Sequence, residues 1–333
     1  MNINVITVDP SDDEKFPAWY DTFTAGLAAG RPDPPLYSYE ESRVELRRPT
    51  PYAEHRAFLA SHPDGPIGAA RVSLPAHDNP RLLTFTIAVR PEFRGRGAGS
   101  ALYRRLREIA EAERRTSLLT EIDLPLTGNA TPGTGFASRH GFTRRNTETR
   151  RVLRLPLHEG AGAERAAVPG YTITGWVGPC PEEFAGQYAA LRGRLMTEAP
   201  TGDLDYEQER WGVDRLRDEE ARFAEQGRTS CVTVAIAPDG RLAGHTVIVA
   251  SRESGWASQW DTLVLPTHRG RRIGLALKVA NLRALRAACP HVSRVDTCNA
   301  EDNRPMIAIN ERLGFRPVER CEGWQLDLGV PAL

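Results

Sequence analysis

Five residues in one short run, Arg269, Gly270, Arg271, Arg272 and Gly274, have the types and spacing to bind an anion. Thr262 to Leu265 before them is apolar and β-like, and Pro266 ends it. After them Leu275, Leu277, Val279, Leu282 and Leu285 fall near helical spacing. A strand that turns through a glycine-containing loop into a helix N-terminus gathers unbonded backbone N–H groups and the positive end of the helix dipole at one point. The arginines add full charges, so the ligand expected here is a di- or triphosphate. An arginine-rich surface turn contains the same residue types, and one such loop alone does not separate the two readings.

The loop occurs twice. Ile87 to Leu102 aligns with Thr262 to Leu277 without a gap, pairing Pro91 with Pro266, Arg94 with Arg269, Gly95 with Gly270, Arg96 with Arg271 and Gly99 with Gly274. Further on, His140-Gly141-Phe142 answers Leu313-Gly314-Phe315 in nearly the same register. A chain of 333 residues has room for two domains with separate cores. Internal duplication is the economical reading.

At these residues the chain resembles the GNAT superfamily of acyl-CoA-dependent N-acyltransferases. That family's signature, Arg/Gln-x-x-Gly-x-Gly/Ala, lies between the fourth strand and the third helix of its domain. The first half carries it complete in Arg94, Gly97 and Gly99, whereas the second has Arg269 and Gly274 with Arg272 at the middle glycine. The doubled arrangement resembles mycothiol synthases and related actinobacterial double-domain proteins. The resemblance implies an α/β fold of two tandem GNAT-like domains, each a mixed, mostly antiparallel sheet flanked by helices and splayed between strands 4 and 5. It implies acetyl-CoA, or another short acyl-CoA, as cofactor. Pantetheine would lie on the backbone of Ala88 and Val89, or of Leu263 and Val264. The pyrophosphate would lie on Arg94, Gly95, Arg96, Gly97, Ala98, Gly99 and Ser100, or on Arg269, Gly270, Arg271, Arg272, Ile273, Gly274 and Leu275.

Acyl transfer to an amine needs a held thioester, a deprotonated amine and a stabilised oxyanion. In GNAT enzymes the base is usually a carboxylate on or near the fourth strand, and the resemblance puts Asp261 there, where the first half has Thr86. Alternation sets Asp261 on the face of Leu263 and Leu265. An isolated carboxylate in that setting is expected to have a raised pKa, while a strand-end aspartate paired with an arginine gives the same sequence. His245 and His268 are further candidates for the base. The tyrosine that many GNAT enzymes use to protonate the departing thiolate is replaced by Ala137 and Asn310; Asn310 and Asn303 can still hydrogen-bond the thioester region. The second half is therefore expected to be catalytic, with Asp261 and Asn310 as its catalytic residues. Arg272 is expected either to crowd the approach of a phosphate or to add a contact to it.

Positioning these residues takes two sheets. Strands are expected at 2–8, 54–60, 66–74, 82–89 and 118–124, then at 171–176, 229–237, 242–251 and 292–298. Helices are expected at 12–29, 99–115, 182–196, up to 224, and 304–313. The proline-rich 30–42 reads as a loop in which Tyr37 and Tyr39 are candidates to border an acceptor pocket. Pro132, Gly133 and Gly135 argue against a regular helix in 127–142. The expected division is a domain over 1–157, a Gly/Ala-rich linker over 158–170 and a domain over 171–333.

The 43 basic and 43 acidic residues cancel, so nothing in the overall charge points to a general affinity for nucleic acid or an anionic membrane surface. The five cysteines are scattered through the second half without metal-ligand spacing, so no metal is expected and a reducing cytoplasm fits. No apolar run approaches the roughly eighteen residues of a membrane span. These features lead to a cytoplasmic enzyme that acetylates the primary amine of a small molecule (an amino sugar, an amino acid derivative or an antibiotic-like compound), working as a monomer with an internal pseudo-dimer or as a homodimer. The alternatives are a protein N-terminal or lysine acetyltransferase, for which Glu207, Glu209 and Asp214 suggest an acidic groove, and a non-catalytic acyl-CoA sensor or scaffold.

Overall fold

A computed structural model describes residues 3–128, 130–156, 167–198 and 202–329. The chain divides into two compact units, residues 1–146 with 321–333 and residues 147–320. The first contains β1 (Asn4–Val8), α1 (Lys15–Ala28), α2 (Tyr39–Arg47), β2 (Ala53–His62), β3 (Gly65–Pro75), β4 (Leu82–Val89), α3 (Ala98–Ala112), β5 (Ser117–Pro125), α4 (Pro132–Arg139) and the start of β6 (Thr143–Arg154). β1 to β4 pair antiparallel in order, and β4 pairs parallel with β5. The second unit contains the rest of β6, then β7 (Thr172–Val177), α5 (Glu182–Arg192), α6 (Leu195–Glu198), α7 (Val213–Glu225), β8 (Arg228–Ile236), β9 (Leu242–Ser251), β10 (Trp256–Val264), α8 (Ile273–Ala288), β11 (Arg294–Ala300), α9 (Arg304–Leu313) and the start of β12 (Arg316–Asp327). β7 to β10 pair antiparallel, β10 pairs parallel with β11, and β11 pairs antiparallel with β6.

The division differs from the expected one at both ends. Residues 148–154 of β6 pair with β11 of the second unit, and the end of β12, from Cys321, belongs to the first unit, beside β5. A buried ion network holds β6 in the second unit. Arg150 bridges Asp296 on β11 and Glu319 on β12, the latter at 2.7 Å, and Arg294 reaches Asp296 at 2.5 Å. Removing one partner of such a buried network would leave an uncompensated charge. Of the expected linker, 158–166 lies outside the described residues.

The strands of each unit are packed on both faces, which is why β9 reads as a buried run rather than an alternating one. In the first unit α3 contributes Leu102 and Leu106 to one core, and α1 contributes Phe16, Trp19 and Phe23 to another. In the second, α8 buries Leu275, Val279, Leu282 and Leu285, while α5 and α7 bury Tyr188, Leu216 and Phe223 over Val247 and Leu263. Each such side chain is worth roughly 1.5–3 kcal/mol on burial.

Two helices form against expectation. α2 begins inside the proline-rich stretch because Ser38 and Glu41 make a capping box. The Glu41 N–H donates to Ser38 Oγ at 3.2 Å, and the Ser38 N–H donates to the Glu41 carboxylate at 2.7 Å. Tyr39 then packs edge-on against Phe16 and Tyr20. α4 forms because Thr131 caps it and Pro132 takes the first helical position, where its missing N–H has no partner to lose. The single helix expected over 182–196 is two, α5 and α6, parted at Gly193 and Arg194.

Candidate active site

Both units open at the same place. β10 pairs with β11 only from Trp256 to Ser258; Thr297 Oγ1 on β11 still donates to Gln259 O at 3.4 Å, and Trp260 to Val264 lie beyond that pairing. β4 pairs with β5 only from Leu82 to Phe85, leaving Thr86 to Val89 free. Each opened strand runs through a single 3-10 turn, Pro266–His268 or Pro91–Phe93, into the glycine loop and the helix N-terminus. The first amide of each helix to close a turn is that of Ala276, onto Arg272 O at 3.1 Å, or Ala101, onto Gly97 O at 2.9 Å. The amides of Ile273, Gly274 and Leu275, and of Ala98, Gly99 and Ser100, therefore have no intrahelical acceptor.

The arginines divide into two roles. Arg269 Nε donates to Val264 O at 2.9 Å and its Nη2 to Glu198 at 2.9 Å, while Arg94 Nε donates to Val89 O at 3.2 Å. These two brace the loop on its own strand. Arg96, Arg271 and Arg272 are exposed, beside the exposed Gly95, Gly97 and Gly270. Arg272 stands at the step of its loop where the first unit has Gly97. It caps α8 in the left-handed conformation, φ 62°, as Gly97 caps α3 at φ 94°.

Asp261 sits at an irregularity in β10. Between Gln259 and Thr262 the strand carries one residue more than β9 opposite, so the register shifts. Trp260 and Asp261, adjacent in sequence, consequently both face α5 and α7: Trp260 packs on Phe223, and Asp261 meets Arg192. The bulge is held from within. Gln259 Nε2 donates to Val247 O at 2.6 Å and Thr246 Oγ1 at 3.0 Å, and Thr246 and Thr262 share a hydrogen bond at 2.8 Å. Sequence reasoning missed Gln259, Thr246 and Thr262, whose only signal was a run of polar residues inside otherwise apolar strands.

Asp261 is not isolated. Its side chain is 12% exposed, Arg192 Nε lies 2.6 Å from Oδ2, and His245 Nε2 lies 3.7 Å from the same oxygen. Arg192 also pairs with Glu219 on α7 at 2.8 and 3.4 Å. The expected rise in pKa is overturned for this reason. Burial alone would raise it, but the Arg192 charge, helped by His245, outweighs burial and holds the carboxyl below its ordinary value. Burial likewise pushes His245 down, leaving it neutral.

Asn310 is fully buried on α9, and its Nδ2 donates to Asn299 Oδ1 on β11 at 2.7 Å. Its own Oδ1 is buried with no hydrogen-bond donor. Asn303 caps α9 by accepting the Met306 N–H at 3.4 Å, which accounts for its residue type without a ligand. His268 accepts or donates a 2.9 Å hydrogen bond with Tyr171 OH, and it supports the loop rather than the Asp261 cluster.

A splayed parallel strand pair running into a loop of free amides occurs twice in the chain, and the sequence profile described as Acetyltransferase (GNAT) family matches it twice, over residues 16–142 and 196–315. The chain belongs to the GNAT acetyltransferase family. It is an N-acetyltransferase built of tandem GNAT domains. It is 28% identical over 277 residues to the mycothiol acetyltransferase of Acidothermus cellulolyticus, spanning 76% of this chain and 74% of that one. To the mycothiol acetyltransferase of Salinispora arenicola it is 28% identical over 301 residues, 89% of each. A solved tandem GNAT protein from the clavulanic acid biosynthesis pathway is 29% identical and superposes with a TM-score of 0.82 over 100% of both chains. A GCN5-related N-acetyltransferase from Sphaerobacter thermophilus, 18% identical with a TM-score of 0.69 over 99% of this chain and 97% of that one, shares the fold.

GNAT proteins generally use acetyl-CoA, and the residues present fit it. The open amides and exposed arginines suit pyrophosphate, and the orphaned Asn310 Oδ1 suits a buried amide donor. The two GNAT units differ on the other face of the sheet. In the first, β4 pairs with β3 without a bulge, Thr86 replaces Asp261, and α1 lies flush on the strand. A Cβ on Gly26 would stand 2.8 Å from Ala88 Cβ and 3.0 Å from Val89 N. In the second unit the corresponding surface carries Arg192, His245 and Asp261.

Proposed function

We propose that this N-acetyltransferase moves an acetyl group from acetyl-CoA to the primary amine of a small molecule, an amino sugar, amino acid derivative or antibiotic-like compound, in its second unit. The single observation that supports this reading is the bulge in β10 at Asp261, on the stretch of that strand beyond its pairing with β11, a feature the first unit lacks. The names of the mycothiol acetyltransferases support a small amine as the acceptor class. Glu209, by contrast, is engaged with Trp211 and Arg215, which speaks against an acidic peptide groove.

In this reading the amides of Ile273 to Leu275, with Arg271 and Arg272, hold the pyrophosphate, and the free edge of β10 at Leu263 and Val264 receives the pantetheine. Acetyl-CoA supplies the activated acyl group as a thioester. Asp261, anionic throughout the working pH range, accepts the proton of the acceptor amine directly or through water. The unpaired Oδ1 of Asn310 would accept from an amide N–H of the pantetheine arm, and Asn299 fixes the Asn310 amide in place. Ala88, Val89, Arg94 and the loop from Gly95 to Ser100 form a second cofactor site in the first unit, without a base. Release of free thiol from acetyl-CoA with a panel of small primary amines tests the reading. Amine-dependent release is expected, and binding of acetyl-CoA without it would leave a sensor.

A further inference from the structure

Arg192 takes no part in the acyl transfer itself, yet it engages two carboxylates and an aromatic ring beside Asp261. Its side chain is 7% exposed. One edge of the guanidinium meets Asp261 at 2.6 Å, and the other meets both oxygens of Glu219 at 2.8 and 3.4 Å. Its face lies 4.2 Å from the ring centroid of Trp211, which Arg215 approaches at 4.7 Å. The ionisable groups around the pair are Tyr188 on α5, Glu219 on α7 with Arg222 3.9 Å away, and His245 on β9.

The fold does not need this cluster. In the first unit the matching register position pairs Ala69 with Ala88, where the second pairs His245 with Leu263, and Gly26 closes over it. Small residues and a flush helix fill that position there, and Arg71, opposite Thr86, lies over the rings of Phe23 and Tyr37. A buried ion pair seldom stabilises more than apolar packing of the same volume, so three charges and a histidine at this spot call for a reason other than stability.

We infer that Arg192 is a positioning residue of the second unit's active site: Glu219 fixes its guanidinium, whose charge in turn holds the Asp261 carboxylate in place and ionised. This rests on Asp261 being the base. Hydrogen bonds to both Glu219 oxygens fix the planar guanidinium and so set its Nε 2.6 Å from Asp261 Oδ2 as an ion pair, a geometry an ammonium lacks.

The test follows the side-chain carboxyl carbon of Asp261 by NMR in the full chain, assigned from its loss in Asp261→Asn. Turnover is measured with acetyl-CoA and the most active amine of the panel. In the unaltered protein Asp261 stays ionised through the working range. Arg192→Met removes the opposing charge, so the titration should move up by about 1–3 pH units and a new acidic limb should appear in the rate. Arg192→Lys should keep Asp261 ionised, with no new limb, yet lose about ten- to a hundredfold in turnover because orientation is lost. Glu219→Gln should leave the titration where it is or lower it, and slow turnover. A fall in melting temperature in Arg192→Met with neither titration nor limb moved would overturn the inference, as would full turnover in Arg192→Lys. Should Arg192→Met fail to fold, full turnover in both Arg192→Lys and Glu219→Gln overturns it equally. Full turnover in Asp261→Asn removes the base reading instead, and is told apart because Asp261 would still respond to Arg192.

Discussion

Arg272 adopts the left-handed conformation that Gly97 adopts at the same step of the other loop, φ 62° against 94°, each as the N-cap of the helix that follows. For a residue with a Cβ this conformation costs roughly 1–2 kcal/mol, which glycine avoids. Strain held at a ligand loop is a common companion of function. Arg272→Gly is expected to stabilise the chain by about 1 kcal/mol, less the glycine's extra unfolded-state entropy. Calorimetric melting with and without acetyl-CoA checks it: the free protein should melt higher, while the gain on adding cofactor should shrink if the Arg272 charge contacts phosphate.

Lys278 is buried on α8, 1% exposed, with its Nζ 5.5 Å from the Phe315 ring centre. Burial pushes its pKa from 10.5 down to about 7. Because the folded value is the lower one, the unfolded chain binds the extra proton between about pH 7 and 10.5, so stability rises with pH across that window. Below it the full cost remains. Lys278→Met should therefore gain on the order of 3–5 kcal/mol at pH 7, a difference that shrinks as pH rises towards 10. Denaturant unfolding of both proteins at pH 7 and 9.5 measures it. An advantage that does not change with pH would mean that Lys278 is charged and accommodated in the fold.

The duplicated loop made both splayed sheets legible, since a strand, an anion loop and a helix in fixed order leave few other folds. What stayed hidden depends on contacts distant in sequence. Nothing in the residues near Asp261 announces Arg192, which lies on another helix, or the bulge that turns the two towards each other. α4 was lost by reading Pro132 and Gly133 as breakers when a capping Thr131 had made their positions permissible, whereas the Ser38-to-Glu41 box of α2 was there to be read. The share of β6 and β12 between the units is written only in which charges meet: Arg150, Asp296 and Glu319 are unremarkable one at a time.

Gly97→Glu should abolish acetyl-CoA binding in the first unit, because it places a carboxylate against pyrophosphate. The left-handed φ of Gly97 makes any side chain strained there, so Gly97→Arg is the control: it carries the same strain with the opposite charge, and Arg272 shows that the loop accepts it. Titration calorimetry should count one site fewer for the glutamate variant and an unchanged number for the arginine variant. Equal numbers in all three proteins would mean that the first unit does not bind the cofactor.

Asp261→Asn keeps the size of the side chain but cannot take up a proton at neutral pH. General-base catalysis typically contributes about 10² to 10⁴ in rate, so turnover should fall by that order. Glu219 still pairs with Arg192 in the variant, so no buried charge is stranded and the fold should persist. Acetyl-CoA should raise its melting temperature as much as it does in the unaltered protein, since the phosphate loop and β10 edge are untouched. The pH dependence has a definite sign. Asp261 is held below the ordinary carboxylate range, so in the unaltered protein it is already ionised wherever the enzyme works, and any acidic limb there belongs to the acceptor amine. Asp261→Asn should therefore lower the whole profile without moving that limb. Unchanged turnover in Asp261→Asn, together with a large loss in Gly97→Glu, would place the chemistry in the first unit.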